Sequence, residues 1–403
     1  IILLNGVLNI PDDRRMASVI VYASMTVSTI LTITTVPYDA VLNSHENMKY
    51  YALVGVVESL LKLTVAFVCV YSTYDKLIVY GILMACIPFL TLTVERIYCH
   101  THYDECVLSI QRMRNKSELK DMTKFAGCNL MATAVTMLSN SGVSVIMNIF
   151  FGTVVNAAQG ISQQICGQLM SVTGMLAKAV NPVITKTAGS GDSAKLHQMA
   201  ITSSKIFFFL CSLIATPSII LMPEIMRLWL KSVPEFAVFF AQCQLIIILC
   251  EQLVSGLNSM IVAIGVIKEV YIVKSLVRVL YLPVIYIMFS IGMGPISSYI
   301  ALFVIHGIVN QLFFSTYFAN KLVGVDWKYY KKKVICPALI VFLGVLLFGY
   351  FLTTLFDGLQ QILFVSCITI VIYTILYYSF VFDQVEKMIT KEIIKNIRCN
   401  GRR

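Results

Sequence analysis

The sequence has few charged residues and lacks the patterns that mark most enzymes and metal proteins. Only 13% of its 403 residues are charged, while 58% are hydrophobic. Its twelve cysteines form no C-x-x-C pair and have no regular spacing, so no disulfide framework or metal site is predicted. No glycine-rich phosphate loop, zinc-spaced His/Cys set or nucleophile motif occurs. The sequence therefore predicts a protein that is not an enzyme and uses no cofactor.

This composition is typical of a polytopic helical membrane protein. With roughly 20 apolar residues as the length of one crossing, about eleven segments qualify, and the connections between them are mostly short. No segment is left for a large soluble domain. The predicted crossings centre on 17–40, 50–71, 77–98, 125–149, 155–183, 205–229, 236–262, 269–291, 296–320, 334–356 and 360–382.

The distribution of Lys and Arg predicts the orientation, because cytoplasmic loops carry an excess of these residues. Alternate loops and the tail after Phe382 hold most of the positive charge, with runs at 112–124 and 328–333. The opposite loops hold little beyond Arg14, Arg15, Lys76, Arg227 and Lys231. The positive loops also contain Lys49, Lys186, Lys195, Lys205, Lys268 and Lys321. This pattern places the C-terminus in the cytoplasm.

The stretch 152–182 is long enough to cross a bilayer but too polar to face lipid on all sides. At about 100° per residue, its amides and glycines fall on one half of a helix and its aliphatic residues on the other. Polar groups facing hydrocarbon would lose their hydrogen bonds. The polar half therefore faces other helices or lines a water-filled path, and both readings stay open. It includes Asn156, Gln159, Gln163, Gln164, Ser171 and Lys178.

Several ionisable residues fall at membrane depth, where each is a functional candidate. Glu58 and Lys62 are spaced as a favourable helical ion pair, which would let the helix insert without net charge. The alternative is that they face a cavity. Lys274 and Arg278 share one helix face without an acidic residue nearby in sequence, so attraction to an anionic ligand is the better account.

Two further ionisable residues are candidates for coupling to an ion. Glu251 lies near the middle of its predicted helix, either as a protonated, hydrogen-bonded acid or as a proton or cation site. His306, with Asn310 one turn later, gives a weaker signal of the same kind, because a lone His is more often a hydrogen-bond partner between helices. Together with Glu58, these residues form the candidate ion-coupling set.

A set of short motifs, spread over most of residues 10–335, resembles those of one transporter family. The chain resembles the lipid-linked oligosaccharide flippases of the polysaccharide-transport branch of the multidrug/oligosaccharidyl-lipid/polysaccharide exporter superfamily. Each motif is weak by itself, but their order and spacing together are specific. They are TVPY (35–38), HE (45–46), ESLLKL (58–63), RIYC (96–99), FFG (150–152), NAA (156–158), NP (181–182), SK (204–205) and LWL (228–230).

The resemblance implies a MATE-like bundle of fourteen helices, with two six-helix lobes and an additional C-terminal pair. The eleven crossings would be helices four to fourteen, and the start at Ile1 without an initiator Met then predicts an N-terminal truncation. Residues 1–124 would belong to the first lobe and the inter-lobe loop, 125–320 to the second lobe, and 321–403 to the C-terminal pair and basic tail. Lys178 departs from the small polar residue expected there.

The resemblance further implies that the protein flips polyprenyl-pyrophosphate-linked O-antigen or capsule repeat units across the bacterial inner membrane by alternating access, for surface polysaccharide and lipopolysaccharide biosynthesis. The pyrophosphate would bind to cavity cations, with Lys62, Lys178, Lys274 and Arg278 as candidates. Its partners would be this lipid-linked sugar, the bilayer and other polysaccharide-assembly proteins, and no nucleic acid. A cation-coupled exporter of small drugs and a membrane-embedded polysaccharide polymerase or ligase are the alternatives.

Overall fold

The regular structure in the described part of the chain is entirely helical. The structure is a computed structural model, and it describes residues 14–45, 47–103, 106, 116–265, 268–356, 358–384, 386 and 387. The helices are α1 Arg15–Ser44, α2 Met48–Tyr71, α3 Lys76–His102, α4 Lys116–Gly189, α5 Ser193–Ile220, α6 Met222–Trp229, α7 Ala237–Gln252, α8 Ser255–Ala263, α9 Lys268–Ser290, α10 Pro295–Val323, α11 Trp327–Leu352 and α12 Gly358–Phe380.

Helix α4 is interrupted at Gly152. This residue has φ 76° and ψ −169°, a backbone conformation that only glycine adopts without strain. It therefore divides the 74 residues of α4 into two helices, 116–151 and 153–189. Three of the other helices, α3, α5 and α11, begin after an aspartate whose side chain accepts a hydrogen bond from a backbone N–H of the first turn. These residues are Asp75, Asp192 and Asp326.

Nine helices in the described residues are long and apolar enough to cross a membrane, and the bent pair α7–α8 makes ten. The two helices of α7–α8 meet at an angle of 47°. All eleven predicted crossings coincide with helices, because α4 contains two of them on either side of Gly152. The prediction of an all-α polytopic membrane protein is confirmed.

The chain divides into two compact units, 1–127 and 128–403, and the boundary falls within α4. The assignment of residues to two lobes and a C-terminal pair stays a prediction. In the first unit, α1 packs along α3, with Val21 against Gly81. An ion pair of 2.7 Å between Arg14 Nη1 and Asp75 Oδ2 joins their N-terminal ends. At the other end, the Tyr50 ring of α2 stacks on that of Tyr98 of α3.

The second unit has a large hydrophobic core, in which aromatic rings join several helices. Phe240 of α7 stacks on Tyr299 of α10, and Phe209 of α5 on Tyr373 of α12. Hydroxyl groups inside this core find partners, as when the Tyr281 hydroxyl donates to the Ser298 carbonyl at 2.9 Å. Buried hydroxyls that are paired in this way fix how neighbouring helices pack against each other.

A buried ion-pair cluster holds the chain just after α12 against α5. The Lys205 side chain is 0% exposed, and its ammonium contacts Asp383 at 3.0 Å and Glu386 at 2.9 Å. Lys205 therefore lies inside the second unit, which corrects its assignment to a charged loop. Burial of Asp383 raises the pKa of its carboxyl, but the hydrogen bonds and charges of Lys205 and Lys333 outweigh this effect and hold that pKa below its ordinary 3.8.

Candidate functional site

Two adjoining polar cavities lie inside the second unit. Their volumes are about 240 Å³ and about 150 Å³. Glu251, Arg278 and His306 line both of them, so these three residues stand at the junction. Lys274 lines only the larger cavity, and Gln159 and Gln163 line only the smaller one. The structure thus brings together residues that are far apart in the sequence and that were each predicted to be functional.

The helices position these side chains in different ways. Lys274 and Arg278 lie one turn apart on α9, so both can point to the same side. Glu251 lies at the end of α7, next to the bend that leads into α8. His306 lies in the stretch 303–313 of α10, where the helix changes from α to π geometry. Stretches of π-helix are frequently found at functional sites.

The two cations retain unused hydrogen-bond donors. The Lys274 ammonium donates to Asn258 Oδ1 at 2.8 Å and to Ser315 Oγ at 2.7 Å. The Arg278 guanidinium donates through Nη1 to Thr136 Oγ1 at 3.2 Å. An ammonium has three donors and a guanidinium five. In the described part of the chain, one donor of Lys274 and four of Arg278 are therefore left for a ligand or for water.

Glu251, which belongs to a different helix from these cations, supplies a negative charge near them. It is close enough to Arg278 and Lys274 to interact electrostatically with both. No direct ion-pair contact joins the three within the described residues. The cations are therefore only partly compensated, and a charged ligand in the larger cavity would lie between opposite charges.

Neutral hydrogen-bonding groups surround the charged ones. Asn310 donates to the Lys274 carbonyl at 3.3 Å, and its amide also lies 3.2 Å from His306 Nδ1. Gln159 is 2% exposed, and within the described residues its Oε1 has no hydrogen-bond partner, and neither have the amide oxygens of Asn310 and Gln311. Buried amides that lack partners are uncommon in native structures. The walls of both cavities are consequently polar as well as charged.

The other predicted polar residues of 152–182 lie elsewhere. Gln164 and Ser171 are exposed and Asn156 is half-buried, and none of them lines either cavity. Gly160 is also exposed, and no atom of the described residues lies within 4 Å of the position that its Cβ would take. Gly167 is equally open but lines the smaller cavity. The side chain of Lys178 lies outside the described residues, so its candidate role stays a prediction.

The candidates of the first unit are arranged as a simple pair. Lys62 Nζ lies 2.6 Å from Glu58 Oε1, and both side chains are substantially exposed. This is the self-neutralised arrangement that their spacing allowed, while a binding or coupling role for either residue stays a prediction. Glu95 of α3 was not among the candidates. It is buried, and its Oε2 lacks a partner in the described part of the chain. Its position inside an apolar segment would have identified it.

Fold and site together define a polytopic, all-helical membrane protein with a charged cavity inside its second unit. No family model matches the sequence, and no curated protein sequence matches it either. Among solved structures, the chain is similar to the lipid II flippase MurJ in its inward closed conformation. The TM-score is 0.62 at 15% identity, and the match covers 91% of this chain and 74% of that one. This likeness shows a shared fold.

Proposed function

We propose that this protein flips lipid-linked oligosaccharides across a membrane. The observation that carries the proposal is the cavity with Lys274 and Arg278, which are only partly compensated by Glu251. The protein with the similar fold is named as a flippase for lipid II. The motifs that resemble polysaccharide-transport flippases favour the same class of substrate.

The larger cavity fits the charged part of such a substrate. A pyrophosphate offers several oxyanions, and hydrogen bonds between them and Lys or Arg are about twice as strong as neutral ones. The unused donors of Arg278 can bind two oxygens at once, while Lys274 acts as a point charge. We therefore assign the pyrophosphate to these two residues and the sugars to the amide-lined smaller cavity, where Gln159 and Gln163 lie.

The finer parts of the proposal come from the sequence. The substrate would be an O-antigen or capsule repeat unit on a polyprenyl pyrophosphate, carried across the bacterial inner membrane by alternating access. The lipid tail would stay in the bilayer, since apolar chains gain nothing by entering a polar cavity. The excess of Lys and Arg in alternate loops supports a cytoplasmic C-terminus.

A reconstituted flipping assay tests this function. The purified protein is placed in vesicles with a fluorescent lipid-linked oligosaccharide, and the fraction of headgroups accessible to an external quencher is followed. Lys274→Gln and Arg278→Gln are each expected to slow flipping at least tenfold, because each removes a charged hydrogen bond worth about 1.5–3 kcal/mol. Lys321→Gln is the matched control, since its exposed ammonium lies 4.0 Å from Glu269 and its side chain lines neither cavity.

Unchanged flipping after charge removal at Lys62, Lys178, Lys274 and Arg278 together would refute the assignment of the pyrophosphate. The substrate itself is identified in the host. Deletion of the full gene is expected to raise the pool of complete repeat units on their lipid, measured by mass spectrometry, with loss of surface polysaccharide. An unchanged pool together with altered drug sensitivity would favour the small-molecule exporter.

A further inference from the structure

The charges around the larger cavity do not sum to zero. Lys274 and Arg278 contribute two positive charges and an ionised Glu251 one negative charge, which leaves one positive charge. The titratable and charged groups that face Glu251 are Lys274 and Arg278 on α9, His306 on α10 and Cys211 on α5. No second carboxylate lines either cavity in the described residues. Glu251 is therefore the group that can adjust the charge balance.

A lipid-linked oligosaccharide carries a diphosphate diester, with one negative charge on each phosphate. If it bound while Glu251 is ionised, the cavity would hold three negative charges, from the two phosphates and Glu251, against the two positive charges of Lys274 and Arg278. If Glu251 is protonated, two negative charges face two positive charges. An uncompensated charge in a protein interior is costly, because the low dielectric neither screens it nor solvates it. The dianion is thus accommodated better when one proton enters the cavity with it.

We propose that Glu251 is an internal counter-anion that releases Lys274 and Arg278 to a diphosphate ligand when it takes up a proton. The geometry supports this role, because Glu251 lines both cavities and interacts with both cations while making no direct ion-pair contact with either. Its carboxylate can then give up the cations without breaking a close contact. The identity of the natural ligand rests on the proposed function, whereas the charge balance rests on these residues alone.

Linkage fixes the sign of the effect. If binding of the diphosphate favours protonation of Glu251, a proton must favour diphosphate binding by the same factor. Binding of the diphosphate therefore takes up about one proton and weakens as the pH rises. Glu251→Gln mimics the protonated acid in shape and charge. This variant is expected to bind the dianion about tenfold to thirtyfold more tightly at alkaline pH, as the Coulomb energy of charges several ångströms apart implies.

The test is calorimetry on the purified, full chain in detergent at about pH 8 and about pH 6, in buffers of different ionisation enthalpy. The probes are a nucleotide diphosphate sugar and a short-chain prenyl diphosphate sugar, both diphosphate diesters. They separate recognition of the diphosphate alone from recognition of the lipid. His306→Asn and Cys211→Ser are the controls, because they remove two other titratable groups near Glu251 and should leave the proton uptake in place. Proton uptake that persists in Glu251→Gln would overturn the proposal and assign the proton to Lys274.

Proton uptake in the wild type that is absent in Glu251→Gln, with tighter binding by the variant, supports the proposal. Binding without proton uptake, or weaker binding by Glu251→Gln at alkaline pH, overturns it while leaving the anion site intact. Loss of proton uptake in His306→Asn instead would assign the proton to His306. If the wild type binds neither probe, both the anion site and the role of Glu251 are wrong. None of these outcomes depends on the flipping rate. A failure of the proposed flipping function can therefore be distinguished from a failure of this proposal about Glu251.

Discussion

Replacement of Lys205 by Met is expected to destabilise the protein far more than the same change at Lys321. Both lysines form ion pairs, but in opposite surroundings. The Lys205 side chain is 0% exposed, and its partner Glu386 is 8% exposed. The Lys321 side chain, in the last turn of α10, is 54% exposed, and its partner Glu269 is 67% exposed. The pair of variants therefore compares one substitution in a buried and in an exposed environment.

The expected sizes follow from what each change leaves behind. In Lys205→Met, the buried carboxylate of Glu386 loses its contact with the ammonium, while the hydrogen bonds from the Thr202 hydroxyl and the Asp383 backbone N–H remain. Asp383 loses less, because it is half-exposed and retains Lys333 at 3.2 Å. Removal of one member of a buried ion pair costs about 3–5 kcal/mol. An exposed pair such as Lys321 with Glu269 contributes only about 0.2–1 kcal/mol.

The free energy of unfolding is measured in mixed micelles by titration with a denaturing detergent, with the loss of helical circular dichroism as the signal. The double variant Lys205→Met with Glu386→Gln should recover part of the lost stability, because it no longer buries a carboxylate whose ammonium has been removed. If Lys205→Met and Lys321→Met differ by less than about 1 kcal/mol in the free energy of unfolding, the ion-pair cluster of Lys205 does not hold the chain after α12 against α5.

Three further predictions concern stability. Asp383→Asn should lower the free energy of unfolding by an amount that is constant well above pH 3.8, because the folded-state pKa of Asp383 lies below that value. This amount should shrink only as the pH falls from about 4 through the folded-state pKa. A loss that already fades at pH 6 in the same titration would contradict this. Gly256→Ala places a Cβ against the Ala200 carbonyl oxygen, closer than van der Waals contact allows, and should cost at least about 2 kcal/mol. Gly160→Ala meets no atom of the described residues and should be neutral or slightly stabilising. Equal melting temperatures of the two variants would refute the close packing at Gly256. Tyr330→Phe removes the 2.6 Å hydrogen bond to the Leu253 carbonyl and should lower the free energy of unfolding by about 1 kcal/mol. Tyr329→Phe, at an exposed position, should leave it unchanged. Equal melting temperatures of the two variants would contradict this.

The helices were predictable because the physics that forms them is local. In a bilayer every backbone N–H and C=O must be satisfied within its own segment, so an apolar run of sufficient length becomes a helix. The spacing of Glu58 and Lys62 likewise allowed their ion pair to be anticipated. Two departures have local causes that the apolar pattern does not report. Gly152 interrupts α4 through a backbone conformation special to glycine, and α7–α8 bends between Gln252 and Ser255.

The candidate site was predictable only in parts. Glu251, Lys274, Arg278 and His306 each stood out because an ionisable side chain within an apolar run has a high desolvation cost. Their meeting in one pair of cavities depends on how α7, α9 and α10 pack, which no periodicity within a single helix encodes. Lys205 is the opposite case, a buried residue that the sequence pattern assigns to a charged loop. Its partners, Asp383 and Glu386, lie nearly 180 residues away in the sequence, so the local pattern does not show that its charge is compensated.

The π-helical stretch of α10 sets the angular register of everything that follows it. Hydrogen bonds from i to i+5 accommodate more residues in each turn than an α-helix does. If 303–313 returned to α geometry with all its residues, residues 314–323 would rotate about the helix axis by about 100° for each extra residue that the wider turns hold. Ser315, whose Oγ lies 2.7 Å from the Lys274 ammonium, would then turn away from it. A single-residue gap in this stretch would offset that rotation, so a chain with such a gap could form a plain α-helix here and still present Ser315 to the cavity.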